Sequence, residues 1–334
     1  MAAYRFCRTD DIALLVDALN RCWSPYFPGE PPMTPASFKR SIRDLQVWCS
    51  SCMVAFSGAD PIGVLIGAKR PSSTLIHKIA VHPDHRRLGH AGHLLDSLSS
   101  KLAILGPPRI VAEVPDTLAP ACELFNASGY VKEAVLTDYV MQDVAQDARE
   151  AVGTFDDGRS GDGDHDGRFV IPITIDDLAA NGLAGEADPR VCWTRSIETL
   201  TARKDNIAGL AIASDERIEA YVLFVPCDGS TTATGTGTAT ATATANAAAS
   251  MRATPTAIAT APTAAVSTAE IVSLRSFVED GGARLKHLLS RLHAHGMSRF
   301  KLPKVHPAEI SKELLESLGF QPAEGHLLYA VRAR

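Results

Sequence analysis

The sequence predicts an α/β fold built as two tandem copies of one unit, each a central sheet flanked by helices. Three observations predict it. Strand-like and helix-like segments alternate through residues 1–147. The same order of segments returns after residue 168. Two stretches, 148–168 and 228–268, have compositions that cannot build a core. A chain of 334 residues is long for one domain and comfortable for two.

The first copy reads in order. Residues 4–7 form a strand, and Thr9 and Asp10 stand where they can cap a helix through Ile12, Leu15, Val16 and Leu19. A loop rich in proline and aromatics covers 24–33. A second helix starts at Thr34-Pro35, with threonine as cap and proline at the first helical position. Residues 53–56 and 62–68 read as a hairpin turning at 57–60, and 75–81 as the next strand. Residues 92–105 are amphipathic, with Leu94, Leu98, Leu102 and Leu105 on one face. A strand over 109–114, a helix over 119–128 ending at Gly129, and a strand over 135–141 complete the unit.

Residues 148–168 are rich in Asp and Gly and read as a linker. The second copy, 169–334, carries the Ala/Thr/Gly insertion at 228–268, which reads as disordered. Around that insertion the order repeats. It runs as a hairpin over 210–224, a strand over 270–277 and a helix marked by Leu285, Leu288, Leu289 and Leu292. A strand over 299–305, a helix ending at 314–320 and a strand over 326–331 follow.

Composition excludes several function classes. A formal charge of −5 argues against bulk nucleic-acid binding. No apolar run is long enough to span a bilayer, and residues 1–10 lack an export pattern, so a cytoplasmic location is expected. Seven cysteines do not make a disulfide framework. Cys49 and Cys52 form a C-x-x-C that reads as small apolar residues entering a strand, because no second pair completes a metal site. His77, His82, His85, His90 and His93 lack Cys or paired acidic neighbours, and no metal is expected.

The chemistry is read from residues 77–92, His-Lys-Ile-Ala-Val-His-Pro-Asp-His-Arg-Arg-Leu-Gly-His-Ala-Gly. A strand ends at Val81 and a helix begins near Ala91. Small residues at 89, 91 and 92 let a ligand approach the backbone. A helix start offers N–H groups and the positive end of the helix dipole, which suits a pyrophosphate. Lys78, Arg86 and Arg87 make this stretch basic within an acidic protein.

With Arg86-x-x-Gly89-x-Ala91 after the Ile79-Ala80-Val81-His82-Pro83 strand end, residues 3–142 resemble the GNAT superfamily of N-acetyltransferases. The resemblance implies tandem GNAT-like domains, each with a mixed, mostly antiparallel sheet. It implies an acetyl-CoA site in the first. There the backbone of Ile79, Ala80 and Val81 would pair with the pantetheine arm. The N–H groups of Arg87, Leu88, Gly89, His90, Ala91 and Gly92, with Arg86 beside them, would hold the pyrophosphate. The acceptor would be an amine of a small molecule or peptide, and Tyr26, Phe27 and Glu30 lie in the loop that shapes the acceptor pocket in relatives.

Two departures stand out. Phe125 stands where many members carry a tyrosine that donates a proton to the departing thiolate, and Leu118 replaces a frequent asparagine. A thiol pKa of about 8.5 makes the thiolate a tolerable leaving group without that acid. The strand also resembles that of arylalkylamine N-acetyltransferases, in which two histidines help move the amine proton. His77 matches the second and Leu75 stands in place of the first, with Glu113 as the reserve acceptor. Aligning 285–292 on 91–98 sets Asp280, Ala283 and Leu285 against Arg86, Gly89 and Ala91, so the second copy reads as degenerate. A non-catalytic acyl-CoA-binding module is the alternative reading.

Overall fold

The computed structural model describes residues 2–142, 168–227 and 267–334. The expected linker and insertion lie outside the described residues except at their ends. Arg168 opens a strand, and Ser267 and Thr268 begin another.

In the first half, β1 (Ala2–Phe6) leads to α1 (Ile12–Cys22) and α2 (Pro35–Leu45). Then come β2 (Met53–Ser57), β3 (Asp60–Lys69), β4 (Thr74–Val81), α3 (His90–Leu105), β5 (Arg109–Pro115), α4 (Ala119–Ala127) and β6 (Val131–Gln142). The second half has β7 (Arg168–Pro172), α5 (Ile175–Ala180), α6 (Ile197–Ala202), β8 (Ala208–Ser214) and β9 (Ile218–Cys227). It continues with β10 (Ser267–Ser276), α7 (Ala283–Ala294), β11 (Met297–Val305), α8 (Lys312–Ser317) and β12 (Gln321–Arg332). Residues 169–209 show no clear periodicity in the sequence. The short elements β7, α5 and α6 carry too few turns for periodicity to declare them.

Local chemistry explains the ends. Thr34 caps α2 as expected, its side chain accepting from the Ser37 N–H while the Ser37 hydroxyl accepts from the Thr34 N–H. At α1 the cap position belongs to Asp11, not to Thr9 or Asp10, which form a turn before it. The Asp11 carboxylate turns away from the helix to accept the Arg5 guanidinium at 2.8 and 2.9 Å and the Arg8 N–H at 2.7 Å. Cys49 and Cys52 are buried free thiols flanking a tight turn that leads into β2. Gly67 lies under that turn. A Cβ there would meet the Ser51 carbonyl oxygen at 2.5 Å.

The chain folds as two compact units. The described part of the first is 2–136 with 324–334; that of the second is 137–142, 168–227 and 267–323. The first unit's sheet runs β1-β2-β3-β4-β5-β12, and the second's runs β6-β11-β10-β9-β8-β7. All pairings within each are antiparallel except β4–β5 and β10–β11. Each half has one strand after its last helix, and that strand pairs in the other half's unit. His326–Arg332 run antiparallel to Arg109–Pro115, and Thr137–Gln142 pair with β11. Met53, Leu65, Leu94, Leu98, Phe125 and Tyr329 pack into the first unit's core. Phe224, Leu288, Leu289, Phe300 and Phe320 do so in the second.

Candidate active site

Strands β4 and β5 form a fork. Their parallel pairing covers Thr74↔Ile110 and Leu75↔Val111 and then ends. A bulge lies at the same point. On β3, Ile66 pairs with Lys78 and Gly67 with Ile76, so His77 is an extra residue in β4. A bulge bends the strand that carries it, which turns β4 away from β5. It also interrupts the alternation that would put Leu75, His77 and Ile79 on one face. Counting two residues on from the last pair reaches His77 on one strand and Glu113 on the other. Both candidate proton acceptors stand at matching positions where the fork opens, and both are partly buried.

Past the bulge, the edge of β4 is not paired with β5, and the Tyr26 hydroxyl donates to the Val81 carbonyl there. His82 N–H donates to the Ile62 carbonyl beside the Gly63↔Val81 pair. Val81 therefore sits at a non-hydrogen-bonded position towards β3, and its own N–H and C=O point to the fork, as do those of Ile79. The Ala80 backbone points to β3. Of the three strand residues expected to pair with an extended ligand, Ile79 and Val81 turn their polar backbone atoms to the fork.

After Val81 the chain makes a tight turn at Pro83–His85 and enters α3. Arg87 and Gly89 take left-handed conformations, φ 64 and 82. Gly89 brings no side chain to cap α3, and the N–H groups of its first turn have no intrahelical partner. Ideal Cβ atoms on Gly89 and Gly92 would meet nothing within 4 Å. Arg86, Arg87 and Leu88 are exposed. This is a basic, uncapped helix start beside open space, which fits a phosphate-bearing ligand. Within the loop, the His90 side chain is buried and its Nδ1 lies 2.6 Å from the Tyr4 hydroxyl, so His90 can offer a ligand only its backbone.

The loop between α1 and α2 is pinned to β4. The Tyr26 hydroxyl donates to the Val81 carbonyl at 2.7 Å, and the Arg86 guanidinium lies 5.6 Å from the Tyr26 ring centre. Phe27 stacks on Trp23 at 4.5 Å. Glu30 accepts the Trp23 indole N–H at 3.1 Å and lies 3.7 Å from the Lys78 ammonium, which sits 3.9 Å over the Trp23 ring. Tyr26 thus touches the strand and the phosphate-type loop, while Glu30 is matched by a cation of the chain itself. Neither tie was legible in sequence, since Trp23 and Lys78 lie far from one another in the chain.

Phe125 is 2% exposed. Its ring stacks on Tyr329 of β12 at 5.6 Å and meets Tyr130 edge-on at 5.1 Å. Burial pushes the hydroxyls of Tyr130 and Tyr329 up from their ordinary pKa.

The second unit repeats the scaffold with other side chains. Its parallel pairing ends at Glu270↔Lys301, and a bulge inserts Val272. Two residues on from that last pair stand Val272 and Pro303, where the first unit has His77 and Glu113. Neither can take a proton. Gly282, not Ala283, holds the left-handed cap position of α7, φ 88, one residue earlier than the helix alignment implies.

The sequence profile of the acetyltransferase (GNAT) family matches residues 13–130. Among solved structures, a tandem GNAT protein from the clavulanic acid biosynthesis pathway is similar over 100% of this chain and 99% of its own, with TM-score 0.58 and 13% identity. A GCN5-related N-acetyltransferase from Sphaerobacter thermophilus is similar over 100% and 96%, with TM-score 0.57 and 11% identity. Another from Anabaena variabilis ATCC 29413 covers 100% and 73%, with TM-score 0.58 and 10% identity. At these identities the likeness is one of fold. No curated protein matches the chain in sequence.

Proposed function

We propose, on the premise that residues 13–130 are an acetyltransferase (GNAT) domain in a chain of tandem GNAT fold, that the first unit moves an acetyl group from acetyl-CoA to an amine. The observation that carries this reading is the fork. One unit joins a strand edge that β5 leaves unpaired past Leu75, a helix start at Gly89 and two proton-accepting side chains; the other keeps the fork and lacks those side chains.

Bound acetyl-CoA supplies a thioester for direct attack by the amine. The residues of the chain would act around it. The backbone of Ile79 and Val81 would take the extended arm as an added strand, with Ala80 between them as spacer. Arg86, Arg87 and the N–H groups of 87–92 would hold the diphosphate. An alkyl amine is mostly ammonium at neutral pH and attacks only when free, so a proton must leave it. His77 would accept or relay that proton, since imidazole has an ordinary pKa of about 6.5. Glu113, across the fork, is the second acceptor. Tyr26, Phe27 and Glu30 would border the acceptor, with Tyr26 also contacting the coenzyme edge. No helix among the described residues is long and apolar enough to cross a membrane. We read the protein as acting in the cytoplasm.

Burial of Phe125 in the core favours one other reading, a unit that binds acyl-CoA without turning it over. Release of free CoA thiol separates the two. A panel of small amines, aminoglycosides and peptide N-termini should yield thiol with at least one acceptor. Stabilisation by acetyl-CoA with no thiol from any acceptor would favour the binding module. No rise in melting temperature with acetyl-CoA would remove both readings.

A further inference from the structure

One backbone group that the proposed function gives to the coenzyme arm is already bonded by the chain itself. Val81 turns its carbonyl to the fork, and β4–β5 pairing has ended at Leu75↔Val111, so β5 supplies it no donor. A strand carbonyl without a ladder partner takes another donor. Here it is the Tyr26 hydroxyl, at 2.7 Å, brought from the loop between α1 and α2. The Arg86 guanidinium lies 5.6 Å from the Tyr26 ring centre. One side chain thus engages both a strand carbonyl and an arginine that acetyl-CoA would use.

The loop does not depend on this bond for its shape. At its far end the Asn20 side chain accepts the Met33 N–H at 2.8 Å and donates to the Met33 carbonyl at 2.9 Å. Nearer its start, Trp23 stacks on Phe27 and donates to Glu30, which lies 3.7 Å from the Lys78 ammonium of β4. Tyr26 is 37% exposed, so its hydroxyl can leave Val81 for water. Burial, against the opposing charge of Arg86, raises the Tyr26 hydroxyl above the ordinary tyrosine pKa, which keeps it a donor at neutral pH.

We propose that Tyr26 is an internal occupant of the coenzyme-arm site, whose hydroxyl holds the Val81 carbonyl and is displaced by the amide-bearing arm of acetyl-CoA. This inference rests on the proposed function. An arm added as a strand offers the Val81 carbonyl an N–H where the hydroxyl now stands. Molecules in which Tyr26 holds the carbonyl are not competent to take the arm, so the bond lowers the apparent affinity by that fraction. A ligand with a diphosphate and no amide arm does not meet this competition. Displacement also frees the loop that carries Phe27 and Glu30 from its tie to the fork.

The test is calorimetry on the full chain with two probes, acetyl-CoA and ADP, the second having a diphosphate and no arm. Tyr26→Phe removes the hydroxyl and keeps the ring beside Arg86. It should bind acetyl-CoA about threefold to tenfold more tightly than wild type, the worth of one net hydrogen bond, and ADP with unchanged affinity. Tyr26→Leu serves if that variant unfolds, and the ratio of acetyl-CoA to ADP affinity should rise in it as well. An unchanged or lower ratio in a folded variant would overturn the proposal, since the bond would then not compete with the arm. An equal gain for both probes would overturn it too, by assigning the effect to Arg86. If wild type and variants alike bind no acetyl-CoA, the proposed function falls and this proposal with it. A ratio that stays fixed while acetyl-CoA binds removes this proposal alone.

Discussion

At position 89 the backbone, rather than the space around it, calls for glycine. φ is 82 while a Cβ would touch nothing. A side chain there costs about 1–2 kcal/mol for the left-handed conformation. Gly89→Ala should therefore weaken acetyl-CoA binding modestly, and Gly89→Glu should abolish the rise in melting temperature that acetyl-CoA produces. Unchanged stabilisation in the glutamate variant would move the site elsewhere. His77→Gln should keep acetyl-CoA binding and lower turnover by about 10²-fold at neutral pH. The loss should shrink at high pH, where the amine is already free. Full activity of His77→Gln across the pH range would transfer the role to Glu113 or to water. The residue types here were legible because a motif fixes them by spacing. Their placement at the fork was not, because the bulge arises from pairing with β3.

At the scale of elements, caps and ion pairs were partly legible. Thr34 was recognisable from Thr-Pro at a helix start, and Thr34→Ala should cost about 1 kcal/mol in urea denaturation. Asp11 acts through Arg5 and Arg8, just before it in the chain, and not through a capping bond to α1. The Arg5 guanidinium, and then the Arg8 N–H, hold its carboxyl at about 2 against an ordinary 3.8. A depressed folded-state pKa contributes stability above the ordinary value and loses it as pH falls towards the folded one. Asp11→Asn should therefore be less stable than wild type at pH 7, by about 1 kcal/mol or less for an exposed pair. That gap should close as pH falls from about 4 to about 2. A gap independent of pH would show that shape, not charge, is what Asp11 supplies.

For the whole molecule, the exchanged strands set what can be cut. β12 pairs with β5 along Arg109–Pro115 and brings Tyr329 against Phe125. A fragment ending at residue 142 lacks both. It should fail to bind acetyl-CoA, and a peptide of 321–334 added in trans should restore some binding. A fragment that binds as tightly as the full chain would show β12 to be dispensable. In the intact protein, Tyr329→Ala should cost about 3–5 kcal/mol, as removal of a buried aromatic does. Calorimetry should count one acetyl-CoA per chain; a count of two would restore the second unit as a coenzyme site.

The sequence by itself declared most of the longer elements, the repetition of their order and the loop at 86–92, because helix caps, periodicity and glycine-bearing turns are local; the short β7, α5 and α6 escaped it. Its helix alignment set Ala283 against Gly89, whereas in the structure Gly282 keeps the glycine at that cap. Only the tertiary structure decided which strand closes each sheet, since a strand's own residues do not say which edge they pair with. The fold likewise made His77 a bulge, set Val272 and Pro303 at the positions of the second unit that match His77 and Glu113 in the first, pinned Tyr26 and Glu30 to β4, and laid Asp280 over the start of α7. Each of these depends on hydrogen bonds or charges between segments distant in the chain or on the bend of a loop, and such partners are chosen by packing rather than by spacing.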